Sequence, residues 1–241
     1  MRRAEETKHA QPVQNLAGTV LYGYDSAAQP AGIPAGTSSF IELTSVFNTI
    51  GQGTGQGDRV GNRISPNRFV FTGYMNYNAN NVGVAQTNCL PMYVKMFIFR
   101  MKNTLSATQP DMTKFFQYGS ASQAPTGYIQ DIKNKVNIDD ITLYATRTFK
   151  LGNSALVSTG VVASADTNND FKQTQAFKVD LTRYVKKVIY DDTTAVIKNH
   201  QMFCAFLFGR NDCLALTKNA LNDLITPIQI SYDIQVSYKD D

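Results

Sequence analysis

A chain of 241 residues with 43% hydrophobic and only 17% charged residues has the composition of a folded domain, which excludes a disordered or coiled-coil chain. At this length folding buries roughly 70–75% of the surface of the unfolded chain, so a disulfide framework or structural metal is unnecessary. The 23 Lys and Arg against 19 Asp and Glu leave a formal charge of +4. Cys89, Cys204 and Cys213 are an odd number and no Asn-x-Ser/Thr acceptor occurs, so nothing marks an oxidising compartment, and the three read as reduced, buried thiols. No run of eighteen apolar residues and no signal-peptide core in the first twenty-five positions occur, so neither membrane insertion nor secretion is expected.

In chain order, residues 1–15 read as a short, flexible arm and 16–241 as one domain. A strand is expected near 19–24, and others at 40–50, 64–76, 92–102, 140–151, 177–190, 201–208 and 228–238. Val, Ile, Thr, Tyr and Phe runs between Gly, Asn, Pro and Ser clusters give this spacing, which is that of an all-β sandwich or barrel. The stretch 92–102 is apolar on both alternations, Val94, Met96 and Ile98 against Tyr93, Phe97 and Phe99, as in a strand covered on both faces, in part by a neighbouring subunit. Short loop helices are expected at 111–117 and 214–224. Polar loops 79–88 and 153–169 are candidates for an outer surface or for contacts around symmetry axes. The last strand alternates strictly: Ile228, Ile230, Tyr232, Ile234, Val236 and Tyr238 face one way and Gln229, Ser231, Asp233, Gln235 and Ser237 the other.

Residues that carry chemistry are few. His9 and His200 are the only histidines, and His200 with Cys204 lacks the second pair that a zinc site needs. The run Gly51-Gln52-Gly53-Thr54-Gly55-Gln56-Gly57 fits neither dinucleotide nor phosphate-loop spacing, and a β-like segment containing Pro66 comes next where a helix would be needed. The pairs Asp139-Asp140, Asp191-Asp192 and Asp240-Asp241 read as solvated turns and ends. The oxygen-rich run 166–170 lacks the Gly and terminal Glu of a calcium loop. No catalytic residue, metal or cofactor is expected.

The most specific segment is the glycine-rich turn together with its continuation into a strand: Gly53 and Gly55, then Arg59, Val60, Gly61, Asn62 and Arg63, then a strand reaching Gly73. This resembles the coat proteins of small circular single-stranded DNA viruses, the geminivirus-like and circovirus-like group, with their Gly-x-Gly turn before Arg-[Val/Ile]-Gly-x-[Arg/Lys]. The order of later segments resembles that group over about the last two hundred residues: 97–102, Asp-x-x-x-Phe-Phe at 111–116, 144–151, Phe177 with 185–190, and the final strand reaching Lys239. The resemblance implies an eight-stranded antiparallel jelly roll with one or two short loop helices. It also implies self-assembly into an icosahedral shell of sixty copies around circular single-stranded DNA, in the virion, after assembly inside the host cell. Gly53, Gly55, Arg59, Val60, Gly61, Asn62 and Arg63 are then the expected subunit contact. For Arg59 and Arg63 a structural or interfacial role is expected, since an arginine beside glycines can bond several carbonyls at once.

One departure is the N-terminus, where such proteins carry a long basic arm. The first ten residues here hold Arg2, Arg3 and Lys8 against Glu5 and Glu6. Sixty copies would supply roughly 240 positive charges against phosphates on the order of a thousand or more. Nucleic-acid contacts are therefore also sought among Arg59, Arg63, Arg68, Lys95, Arg100, Lys102, Lys186 and Lys187, with Tyr184 and Tyr190 as rings that could stack on bases. The alternative is a carbohydrate- or receptor-binding β-sandwich acting as a monomer or small oligomer. The absence of Trp weakens its sugar-binding form.

Overall fold

The computed structural model of the chain describes residues 7–22, 40–55, 57–77, 92–102, 110, 112–125, 129–152, 172–191, 197–198, 201–210 and 225–240. Loops 79–88 and 153–169, the segment 214–224, the run 166–170, and Arg2, Arg3, Cys89, His200 and Cys213 lie outside the described residues. The fold is all-β, with antiparallel sheets packed as a sandwich.

The first sheet is centred on β12 (Ile225–Asp240) and β4 (Arg63–Tyr77), which pair from Ile228↔Tyr77 to Asp240↔Ile64. Short β1 (Lys8–His9) and β2 (Val13–Tyr22) share the outer side of β12. In the same way β9 (Thr174–Asp180) and β10 (Val188–Ile189) share the outer side of β4, so the six strands occupy four positions. The second sheet runs β3 (Phe40–Glu42), β11 (Phe203–Arg210), β5 (Met92–Met101), β8 (Ile141–Leu151). Alternation along β12 buries Ile228, Ile230, Ile234, Val236 and Tyr238 against Val94, Met96 and Ile98 of β5 and Cys204, Phe206 and Phe208 of β11. This contact between sheets is the main core, and its apolar area supplies most of the driving force for folding.

Several expected elements are corrected. The stretch 40–50 is a strand only to Glu42, after which Leu43–Thr49 is a 3-10 helix. Leu43, Val46, Phe47 and Ile50 repeat at three, four and seven residues, a helical period, and all four are buried. Ser45 Oγ donates to the Glu42 carbonyl at 2.8 Å and Thr49 Oγ1 to that of Val46 at 2.8 Å, offering the backbone an alternative to a sheet. The stretch 177–190 is also two strands. Pro66 has no N–H to give and lies at a register shift, where Ser237 faces Arg68 but Tyr238 faces Pro66. Here β9 ends, Leu181 N donates to Phe69 O and Phe69 N to Thr182 Oγ1, Thr182–Tyr184 forms a 3-10 turn, and pairing resumes at Val188↔Ile64. The segment read as an arm, 1–15, contributes Lys8–His9 and the start of β2 to the first sheet.

The expected helix at 111–117 is a three-residue 3-10 turn, Met112–Lys114, followed by the hairpin of β6 (Phe116–Tyr118) and β7 (Ala121–Gln123). Gly119, at φ 60°, makes its turn. With the 3-10 helix Ile129–Ile132, this excursion between β5 and β8 covers the outer face of the second sheet. Phe115 packs edge-on against Phe97 at 5.2 Å and Phe99 at 5.1 Å. Met112, Phe116, Val136 and Leu207 complete a second core. The chain itself thus covers the second apolar face of β5, where partial cover by a neighbouring subunit is expected from sequence.

Candidate functional site

The glycine-rich segment forms a closed corner where β4 begins. Arg59 N donates to Gly51 O at 2.9 Å and Gly53 N to Arg59 O at 3.1 Å. Gly55 N donates to Asp58 Oδ2 at 3.0 Å. The carboxylate of Asp58 fills the loop so fully that a Cβ at Gly53 would stand 2.5 Å from Asp58 Oδ2, and one at Gly55 2.7 Å. A side chain at either glycine would displace the Asp58 carboxylate that fills the loop, and no phosphate cradle results.

Arg59 comes next, and its side chain turns inward with only 1% of the residue exposed. Its guanidinium lies 4.1 Å from the Tyr190 ring centroid, and Nη1 donates to the Gly61 carbonyl and, at 3.2 Å, to Asn62 Oδ1. Tyr190 donates its hydroxyl to Phe47 O at 3.0 Å and its N–H to Asn62 O at 2.9 Å. Burial pushes the Tyr190 phenol above its ordinary range, while Arg59 pulls the other way. Tyr238 donates to Gly57 O at 2.7 Å, and burial first, then Asp240 and Asp58, push its phenol up to about 12. Arg59 therefore binds the corner from within the subunit. Of the motif residues, Val60, 66% exposed, Arg63 and Gly55 face solvent, while Gly53, Gly61 and Asn62 are half-buried.

The other candidate basic residues do not converge. Lys8 is fastened into the corner, donating to Asp58 O at 2.6 Å and to Asp240 Oδ2 at 2.7 Å. Lys95 lies on the second sheet, donating to the Ile132 carbonyl 4.9 Å from the Phe97 ring centroid, with its pKa lowered by burial. It pins the covering segment. Lys102 is exposed and donates to Ile138 O at 2.6 Å, and Arg100 is half-buried, its charge acting on Tyr144. Exposed Arg68 and Lys186, with half-buried Lys187, sit at one end of the first sheet. Arg63 starts β4 at the same end. Of the two rings, Tyr190 is buried, while Tyr184 donates to Tyr144 O at 2.7 Å with Arg183 stacked 4.6 Å over it.

Cys204 is a buried free thiol, with its pKa raised by burial. Among the described residues no group of three His, Cys, Asp or Glu side chains could hold a metal ion, and no helix is long and apolar enough to cross a membrane. Compared with known proteins, the chain matches no family model, and no curated protein matches it in sequence.

Proposed function

We propose that this chain is a virus coat protein, a jelly-roll subunit that self-assembles into an icosahedral shell around a circular single-stranded DNA genome and resides in the virion. The observation that carries the reading is strand order. Setting the separate β6–β7 hairpin aside and counting β1 with β2, and β9 with β10, as single positions, the eight positions among the described residues lie, in chain order, 1-8-3-6 in one sheet and 2-7-4-5 in the other. Strands 1 and 8, 2 and 7, 3 and 6, and 4 and 5 are all neighbours, as in one long hairpin rolled up on itself, which supports reading the sandwich as a two-Greek-key jelly roll. Such a subunit is a rigid wedge, and heterologous contacts between wedges that close by symmetry build a shell. The Gly53–Arg63 corner, rigid beneath and presenting Val60 and Arg63 to solvent, supports a subunit contact. In this reading the protein is not an enzyme, and its partners are its own copies and nucleic acid.

Light scattering and negative-stain imaging of the purified protein test it, before and after nuclease. Sixty copies of 26.7 kDa form a hollow particle of about 1.6 MDa. A stable species of a few tens of kilodaltons across salt and pH overturns the coat reading in favour of a discrete binding module.

A further inference from the structure

The outer face of the first sheet carries a shallow groove of about 500 Å³, lined by Leu16, Thr72, Tyr74, Arg147, Lys178 and Asp233 among others. It crosses four strand positions, about 14 Å at the usual spacing. Tyr74 projects from its floor with 62% of the residue exposed, although its strand neighbours Gly73 and Met75 turn inward. Leu16, 75% exposed, stands at the far side, where β2 slips register against β12 between Asn15 and Thr19. Lys178 pairs with Thr72 and Ala176 with Tyr74, so Lys178 is a diagonal neighbour of the ring at about 7–8 Å.

Charge distinguishes this face. Exposed Lys178 and Lys186 lie along the β9 side of β4, with Arg183 between them in sequence, its guanidinium stacked on the Tyr184 ring and donating to the Tyr184 hydroxyl; Arg68 and Arg63 are beside them on β4, and Arg147 reaches the groove from β8. Two acids lie nearby among the described residues, and the carboxylate of Asp180 stands in the field of Lys178 and Arg183, offsetting part of their charge. Asp180 accepts the Thr182 N–H at 2.9 Å, and Asp233 accepts the Gln235 side-chain amide. From Arg63 to Tyr77, β4 spans roughly 45–50 Å, so the cations form a track along the sheet with an exposed aromatic ring near one end.

We infer that this face binds single-stranded nucleic acid without sequence preference, with a base stacked on Tyr74 and phosphates following Lys178, Arg183, Arg68 and Lys186. The inference rests on the coat reading for its biological setting but not for its chemistry. An unpaired base has a free face for the ring, whereas a duplex hides its bases, and the cations supply the salt-dependent attraction. It assigns a nucleic-acid role to Tyr74, Lys178 and Arg183, which the sequence by itself does not single out.

The test uses the full chain, stripped of nucleic acid in high salt and returned to low salt with a fluorescent twenty-residue oligothymidine present. Anisotropy is read across a salt series, and particle mass is measured on the same samples. Tyr74→Ala lowers affinity about tenfold and Tyr74→Phe restores it. Lys178→Gln with Arg183→Gln flattens the logarithmic salt slope by about one to two, while Lys102→Gln, a cation on another face, leaves affinity within twofold. Wild-type affinity in Tyr74→Ala, equal losses in Lys102→Gln, equally tight binding of the matching duplex, or displacement by a neutral oligosaccharide overturns the inference. Assembly without this binding defeats the inference alone, and binding without assembly defeats the coat reading alone.

Discussion

The guanidinium of Arg59 stacks 4.1 Å from the centre of the Tyr190 ring, joining the glycine-rich corner to the strand segment that leaves β10. Each partner is also tied to residue 62, Arg59 to its side chain and Tyr190 to its backbone carbonyl. Of the structural or interfacial role expected of Arg59 from sequence, these contacts are structural: the side chain is an internal tie. Arg59→Ala removes a desolvated cation–π contact and charge-assisted hydrogen bonds, an expected loss of about 3 kcal/mol. Arg59→Lys recovers less than half, because an ammonium cannot stack flat and donate as a fork together. Urea midpoints check both, and a wild-type midpoint in Arg59→Ala refutes the internal role.

Gly73 lies in the middle of the first sheet with no room for a side chain. A Cβ there would stand 2.5 Å from the Ser231 carbonyl oxygen and 2.6 Å from Phe177 Cζ. The oxygen belongs to a paired strand and the ring is buried in the core, so neither yields easily. Gly73→Ala is expected to cost about 2–3 kcal/mol, while the paired change with Phe177→Leu recovers part of it. Chemical denaturation of the two variants measures the coupling.

Lys8 is held by Asp58 and Asp240, with 11% of its side chain exposed. Lys8→Met should lower stability by about 1–2 kcal/mol by leaving Asp240 without this partner. The same variant should leave oligonucleotide affinity within twofold. A large loss of affinity with unchanged stability would mean that the lysine faces nucleic acid.

The phenols of Tyr190 and Tyr238 titrate above the ordinary value of 10.0, Tyr238 at about 12, with burial the leading cause for both. The folded state therefore holds these protons more tightly than the unfolded state. The contribution of Tyr238 is complete below pH 10 and is lost as pH rises toward 12, and that of Tyr190 also begins to be lost above pH 10 and persists further. The thermal midpoint should fall across that interval, and less steeply in Tyr238→Phe. An equal slope in that variant would show that Tyr238 is not a source of the alkaline loss.

Ile234 is fully buried on β12, paired with Phe71. Ile234→Asp puts an unpaired carboxylate between the sheets and should prevent folding. Gln235→Asp, one residue on and facing solvent, should fold normally. Circular dichroism and solubility separate the two.

Local pattern determined the all-β class and most strand positions, because a buried strand face needs apolar residues at every second position and the turns between strands need Gly, Pro and Asn. The alternation of 228–238 placed β12 with its buried face, and 64–76, 92–102 and 140–151 are β4, β5 and β8 within a residue or two. The 3-10 helix Leu43–Thr49 was also legible in the period of Leu43, Val46, Phe47 and Ile50, but β-branched and aromatic residues masked it. What only the tertiary structure decided is which side chains meet. The order of strands across each sheet, the burial of Arg59 on Tyr190, the fastening of Lys8 to Asp240 and the cover that Phe115 and Phe116 lay over β5 all join residues far apart in sequence. A lysine or arginine on a strand has the same local pattern whether it pins a neighbouring segment, as Lys95 does, or stands in solvent beside Tyr74, as Lys178 does. Long-range packing sets that difference, because it determines which cations lose water to an internal partner and which keep it.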